Sequence, residues 1–133
     1  MGSVVVASIG LFIIRLVVGL TFAGHGTQKL FGWFGGHGLK GTGGFFESIG
    51  IRPGVTMAFL AGASELVAGL LFAAGVWVPV AAALIVLTML VAIVKVHGQN
   101  GFWITEGGIE YNVILIAVAV GVALTGPGEY VLF

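Results

Sequence analysis

The chain alternates long apolar runs with short polar or glycine-rich segments. A helix that crosses the hydrocarbon layer needs about 20 mostly apolar residues. Four runs meet this requirement, at about 4–23, 55–74, 79–96 and 109–124. Gly75 and Pro79 divide the longest apolar stretch, and Gly126 with Pro127 ends the last run, because these residue types interrupt helices. The pattern therefore predicts an all-α membrane protein, a four-transmembrane-helix bundle in one domain over residues 1–133.

The segment between the first two runs, residues 24–52, differs in kind from the rest of the chain. It mixes glycines with the aromatic residues Phe31, Trp33, Phe34, Phe45 and Phe46. Aromatic side chains favour the headgroup region, and irregular backbone at membrane depth is tolerated where protein covers it. We expect an interfacial or re-entrant linker between helices 1 and 2, with a flexible loop as the alternative.

Composition supports a membrane environment and excludes several kinds of binding and redox chemistry. Hydrophobic residues make up 59% of the chain and charged residues 8%, against about 25% charged in soluble proteins; the mean hydropathy is +1.18. Five Lys and Arg balance five Asp and Glu, so the chain has no excess of positive charge with which to bind nucleic acid. Cysteine is absent, which excludes disulfides and an iron–sulfur cluster held by cysteine thiolates. Arg15 interrupts the first run, so we expect a permanent span and not a cleaved leader.

Two charges fall near the middle of predicted spans. Arg15 lies in the first and Glu65 in the second, where each charge costs about 2.5–3.5 kcal/mol on insertion scales. Consecutive helices usually pack antiparallel as neighbours, so we expect an Arg15–Glu65 pair buried in the bundle. Such a pair either fixes the register of the helices or makes Glu65 a proton-exchanging group in a midplane pocket.

Polar residues collect where runs one and three end and run four begins. We expect a ligand pocket there, formed by His25, Lys29, His97, Glu110 and Asn112, with Trp33 and Trp103 as apolar walls. The alternative is that these residues are anchors at the membrane surface. A quinone-like or anionic ligand suits this set, and haem held by His25 and His97 is a less favoured alternative; no metal site is expected. The positive-inside rule places this face in the cytoplasm and both termini outside.

The segment GHGTQKLFGWFGGHGLKGTGGFFESIGIRPG (24–54), which follows an apolar run with Arg15, resembles the DoxX family. GASELVAGLLFAAG (62–75) and the stretch from HGQNGFW to EYN (97–112) are similar to the same family. The resemblance implies a four-span, multi-pass bacterial inner-membrane protein of the DoxX and DoxD-like type. That superfamily includes a membrane subunit of thiosulfate:quinone oxidoreductase, and mycobacterial relatives are linked to a complex with a superoxide dismutase and a sulfurtransferase. The resemblance implies five site residues without assigning their roles: Arg15, His25, Lys29, Glu65 and His97.

Three functions compete at this point. The first is a membrane subunit of a quinone-linked oxidoreductase, which handles a quinone or another lipophilic or anionic ligand and supports oxidative-stress or sulfur and thiol metabolism. The second is a noncatalytic scaffold that assembles soluble redox enzymes at the lipid surface. The third is binding or transport of a small solute, which favours a homo-oligomer because four spans enclose only a narrow path.

Overall fold

The computed structural model describes residues 2–132, and this part of the chain contains helices and no strand. The five α-helices are α1 (Gly2–Phe31), α2 (Gly38–Ser48), α3 (Gly54–Ala74), α4 (Val78–Ala92) and α5 (Glu110–Thr125). Helix α4 continues through a π-helical turn, Ile93–His97, and a 3-10 turn, Gly98–Asn100. A π turn at the end of an α-helix is a feature that often accompanies functional sites.

Helix α1 is longer than the first predicted span. It continues past residue 23 through the polar sequence GHGTQKLF and ends at Phe31. Gly26 does not break it, because this glycine is a point of close helix contact: a Cβ added there would lie 2.6 Å from the carbonyl oxygen of Gly62. Without that side chain the two backbones approach closely, and tertiary packing stabilises the helix.

Helices α1 and α3 form the central antiparallel pair of the bundle. Gly26 meets Gly62 near one end, and Gly19 meets Gly69 and Ala73 near the other. Gly69 and Ala73 stand four residues apart, a spacing of small residues that permits close approach. This register places Glu65 opposite the end of α1 that carries Lys29, and places Arg15 beside the C-terminal end of α3.

The apolar core lies where α1, α3, α4 and α5 meet. Phe22, Phe72 and Ile85 are fully buried there, together with Leu115 and Ala119 of α5. The outer faces are also apolar: Val17 and Leu87, for example, are 63% and 60% exposed. Three helical segments are long and apolar enough to cross a membrane, namely Gly2–Phe31, Gly54–Ala74 and Val78–Asn100, and α5 is a shorter apolar helix.

The segment predicted as an interfacial or re-entrant linker contains the end of α1, a 3-10 turn at Trp33–Gly35, and α2. Helix α2 packs against α3, and Gly43 allows the contact, since a Cβ there would lie 2.8 Å from the backbone nitrogen of Val55. The region is therefore helical over most of its length. Its depth in the membrane stays a prediction.

Candidate functional site

An ion pair between a partly exposed lysine and a buried glutamate joins α1 to α3. Lys29 Nζ lies 2.5 Å from Glu65 Oε1, and the two side chains are 27% and 4% exposed. A carboxylate removed from water is costly unless it is paired. Lys29 reaches Glu65 because α1 extends to Phe31: the Lys29 Cβ lies beside Gly62, one turn of α3 away from Glu65, and the long lysine side chain spans that turn. Among residues 2–132 the Lys29–Glu65 pair is the one ion pair between side chains.

The predicted Arg15–Glu65 contact is wrong. Arg15 lies near the opposite end of α3 and donates to three backbone carbonyls, those of Phe72 at 3.3 Å, Ala73 at 2.9 Å and Pro127 at 2.8 Å. The prediction assumed that α1 ended at residue 23, which would have put Arg15 and Glu65 at equal depth. The additional turns of α1 shift the register and bring Lys29 to Glu65 instead.

Arg15 is thus a structural residue that closes one end of the bundle. The last carbonyls of a helix lack partners within it and carry partial negative charge, which a cation stabilises. Arg15 is only 1% exposed and connects α1, the end of α3 and the C-terminal segment. The same segment is held by two more bonds, from Glu129 N to Ser8 Oγ and from Leu132 N to Ala74 O.

The Lys29–Glu65 pair lies in the wall of a cavity of about 740 Å³ between α2, α3 and α4, here called the lateral cavity. This volume lies within the range of small-molecule sites, about 300–1,000 Å³. Most of the wall is apolar and includes Phe45, Phe46, Leu60, Leu87 and Met89. Leu60 and Leu87 are about half exposed on the outer face of the bundle, so the cavity opens sideways, where lipid would lie.

The structure brings some of the predicted pocket residues together and leaves others outside. Lys29 and His97 line the lateral cavity with Glu65. Trp33 and Trp103, expected as walls, are 55% and 62% exposed and are not among the lining residues. Aromatic rings of α2 form that wall instead, because α2 folds back onto α3.

The remaining predicted residues do not line the cavity and make other contacts. His25 Nδ1 is 3.0 Å from Gln28 Oε1, and the His25 ring lies 5.6 Å from that of Tyr111. Asn112 is buried and donates to the sulfur of Met89, whose side chain forms part of the cavity wall. Glu110 accepts a hydrogen bond from Ile104 N and so organises the loop before α5.

His97 and His25 make separate contacts in this arrangement. His97 Nδ1 lies 2.7 Å from the carbonyl oxygen of Gly107, whereas His25 contacts Gln28 and Tyr111. No group of three or more His, Cys, Asp or Glu suited to a metal occurs in the described range 2–132. Haem held by the two histidines stays an untested alternative.

Sequence reasoning missed several residues of the site. Ser64, Thr88 and Lys95 add polar groups to the lateral cavity, and His37 and Thr42 approach it from the α2 side. Tyr111, whose ring lies against His25 outside the cavity wall, was also missed, although EYN is a polar triplet at the start of an apolar run. That triplet was the available signal. The sequence held no such signal for the contribution of α2. Its position depends on the contact of α2 with α3, which the spacing of hydrophobic residues does not reveal.

The fold and the site define a helical membrane protein with a side-opening cavity that ends at an ion pair. The sequence pattern of the DoxX family matches residues 10–98, which include Lys29, Glu65 and every residue that lines the lateral cavity. The chain belongs to the DoxX family. It is 33% identical over 118 residues to a Bacillus subtilis (strain 168) protein named "Putative oxidoreductase CatD", a match that covers 89% of this chain and 80% of the relative. No solved structure matches the chain.

Proposed function

We propose that this DoxX-family protein is a multi-pass subunit of a redox system in the bacterial inner membrane, and that it binds a quinone or a similar lipophilic ligand in the lateral cavity. The observation that carries the proposal is the Lys29–Glu65 pair in the wall of a largely apolar cavity. The name of the relative, "Putative oxidoreductase CatD", supports redox chemistry. Oxidative stress and sulfur or thiol metabolism are the processes that we propose such a subunit serves.

The proposal includes four spans, with α5 as the fourth. Its 16 residues extend about 24 Å at 1.5 Å per residue, somewhat less than the hydrocarbon core of about 30 Å. A short helix is accommodated when the bilayer thins locally or when neighbouring helices cover its ends. Leu115, Ala119 and Val122 already bury one face of α5 in the core, so its other apolar face is available to lipid.

The chemistry of the cavity fits a ring that carries polar oxygens. The rings of Phe45 and Phe46 and the side chains of Leu60 and Leu87 provide an apolar wall for a ring or tail. The Lys29 ammonium donates hydrogen bonds to a carbonyl or phenolate oxygen. Glu65 can give a proton to that oxygen or take one from it, which quinone reduction and quinol oxidation both require. This chain has no cysteine, so we propose that the electrons come from a bound cofactor or from a redox partner.

Quinone affinity tests the proposal directly. The protein would be placed in lipid nanodiscs, and binding of a short-chain menaquinone analogue would be measured with Glu65→Gln and Lys29→Met variants. We expect each substitution to weaken binding by about tenfold, the factor for one lost hydrogen bond to a charged group. Lys40→Met is the matched control, since Lys40 is exposed and does not line the cavity. Wild-type affinity in both site variants would refute the proposal.

A second function, assembly of soluble redox enzymes, has one observation in its favour. Phe34, Trp33 and Trp103 are 75%, 55% and 62% exposed on the connections around the polar face. Large exposed aromatic residues are enriched where proteins bind one another. In a variant with all three changed to Ala, co-purification of a redox partner should be lost while quinone affinity is retained. Loss of quinone affinity alone would favour the ligand-binding function over the scaffold.

A further inference from the structure

The loop between α4 and α5 fixes the tautomer of His97. The Nδ1 atom of this residue lies 2.7 Å from the carbonyl oxygen of Gly107, and a carbonyl oxygen can only accept a hydrogen bond. Nδ1 therefore carries a proton and donates it to this bond. In the neutral imidazole the other ring nitrogen, Nε2, then has a lone pair and acts as an acceptor.

The Gly107 carbonyl belongs to an ordered loop. Its oxygen also accepts a hydrogen bond from Asn100 Nδ2 at 3.2 Å, and Gly107 N donates to Ile104 O at 2.9 Å. Gly107 has a φ of 71°, a left-handed conformation that glycine adopts without steric cost. The direction of the carbonyl, and with it the tautomer of His97, is thus set by the folded loop.

The His97 ring forms part of the wall of the lateral cavity. His97 ends the π-helical turn that continues α4, and Gly98 N donates to Ile93 O to close this turn. The Nδ1 edge of the ring is directed to Gly107, which does not line the cavity. The opposite edge of the ring is therefore the one available to a ligand. It carries Nε2, which has no hydrogen-bond partner within residues 2–132.

The other polar groups of the wall differ from Nε2 in what they offer. Lys29 and Lys95 present only donors. Glu65 Oε1 is already bound to the Lys29 ammonium, and the Thr88 hydroxyl donates to a carbonyl of its own helix. A quinone has only acceptor oxygens, so it leaves the lone pair of Nε2 unpaired, which costs free energy in a largely apolar site. A hydroxyl group on the ligand removes this cost.

We propose that His97 Nε2 accepts a hydrogen bond from a hydroxyl of the ligand, and that the lateral cavity therefore binds the hydroquinone form more tightly than the quinone. This inference rests on the proposed function and adds the redox state that the site prefers. In the reduced form one hydroxyl donates to Nε2, and the other oxygen accepts from the Lys29 ammonium. The quinone keeps the second contact and loses the first. One lost hydrogen bond corresponds to about a tenfold difference in affinity.

Binding of the two redox forms to the same nanodiscs tests this preference. The probe is the short-chain menaquinone analogue, oxidised or reduced, under anaerobic conditions at about pH 8, where an ordinary imidazole is neutral. We expect wild-type protein to bind the reduced form about tenfold more tightly than the oxidised form. Equal affinity for the two forms, or tighter binding of the quinone, would overturn the proposal.

Two substitutions of His97 separate the ligand contact from the loop contact. His97→Asn has an amide nitrogen near the position of Nδ1, so it keeps the bond to Gly107 and has no acceptor at the position of Nε2. We expect it to bind the reduced form about tenfold more weakly and the quinone as wild type does. His97→Gln has an amide oxygen near the position of Nε2 and should retain at least part of the preference. Gln99→Asn is the matched control, since Gln99 lies in the next turn and does not line the cavity. An unchanged preference in His97→Asn would show that His97 has only a structural role.

The nitrogen chemical shifts of the imidazole provide a readout that needs no ligand. The chain has three histidines, and the His97 signals in a nitrogen-15 spectrum are assigned by their loss in His97→Asn. We expect a protonated Nδ1 and a bare Nε2, and a proton on Nε2 in place of Nδ1 would contradict the proposal. If wild-type protein bound neither redox form, the proposed function would fail and the preference with it. If it bound both forms equally well, the proposed function would stand and only the preference would fail.

Discussion

Replacing Arg15 with methionine tests whether this residue is a structural clamp. Methionine keeps most of the length of the side chain and removes every donor. Three carbonyl oxygens, those of Phe72, Ala73 and Pro127, then lose a charged donor, and hydrogen bonds to charged groups are worth about 1.5–3 kcal/mol each. The desolvation cost of the guanidinium is recovered at the same time. We therefore expect a net loss of about 3 kcal/mol in the free energy of unfolding.

The assay is unfolding of the purified protein in mixed micelles, with the denaturing detergent as the variable. A double-mutant cycle with Glu65→Gln distinguishes the clamp from the buried pair that the sequence suggested. The clamp predicts that the two changes add to within about 0.5 kcal/mol, as independent sites do. If Glu65→Gln restored the stability lost in Arg15→Met by 1 kcal/mol or more, the two charges would be partners and the clamp would be refuted.

Two further predictions follow from close packing and from the cavity. Gly26→Ala should lower the free energy of unfolding by about 1–3 kcal/mol, because its Cβ would lie 2.6 Å from the Gly62 carbonyl oxygen; Gly24→Ala is the matched control, with no atom within 4 Å of the new Cβ. Equal stability of the two variants would contradict the packing of α1 on α3. Ala61→Trp should fill part of the lateral cavity and leave the Lys29–Glu65 pair in place. We therefore expect this variant to lose binding of the menaquinone analogue. Unchanged affinity would mean that the ligand binds elsewhere.

Much of the helical architecture was predictable from apolar runs and helix breakers. The second run, predicted at 55–74, corresponds to α3 at Gly54–Ala74, and the last, predicted at 109–124, corresponds to α5 at Glu110–Thr125. The end of α1 was predicted eight residues early, at 23 and not at Phe31. Polarity and glycine normally indicate a helix end, but here Gly26 packs against α3 and the polar residues face the site.

The site was predictable in its residue types and not in its pairing. Glu65, Lys29 and His97 were expected near a polar pocket, and the structure places all three on the lateral cavity. The partner of Glu65 depended on helix register, which shifts with the length of α1, so Arg15 was the wrong choice. The aromatic wall depended on how α2 folds back against α3, a tertiary contact that the spacing of Trp33 and Phe45 does not encode.

The central claim is that Lys29 and Glu65 act as one unit on a lipophilic ligand. Its most direct test is the affinity of the menaquinone analogue for Lys29→Met, Glu65→Gln and the double variant, measured in the same nanodiscs. Groups that act as a unit give non-additive losses, so we expect the double variant to bind about as weakly as the weaker single variant. Losses that add independently, or no loss in any variant, would contradict the claim.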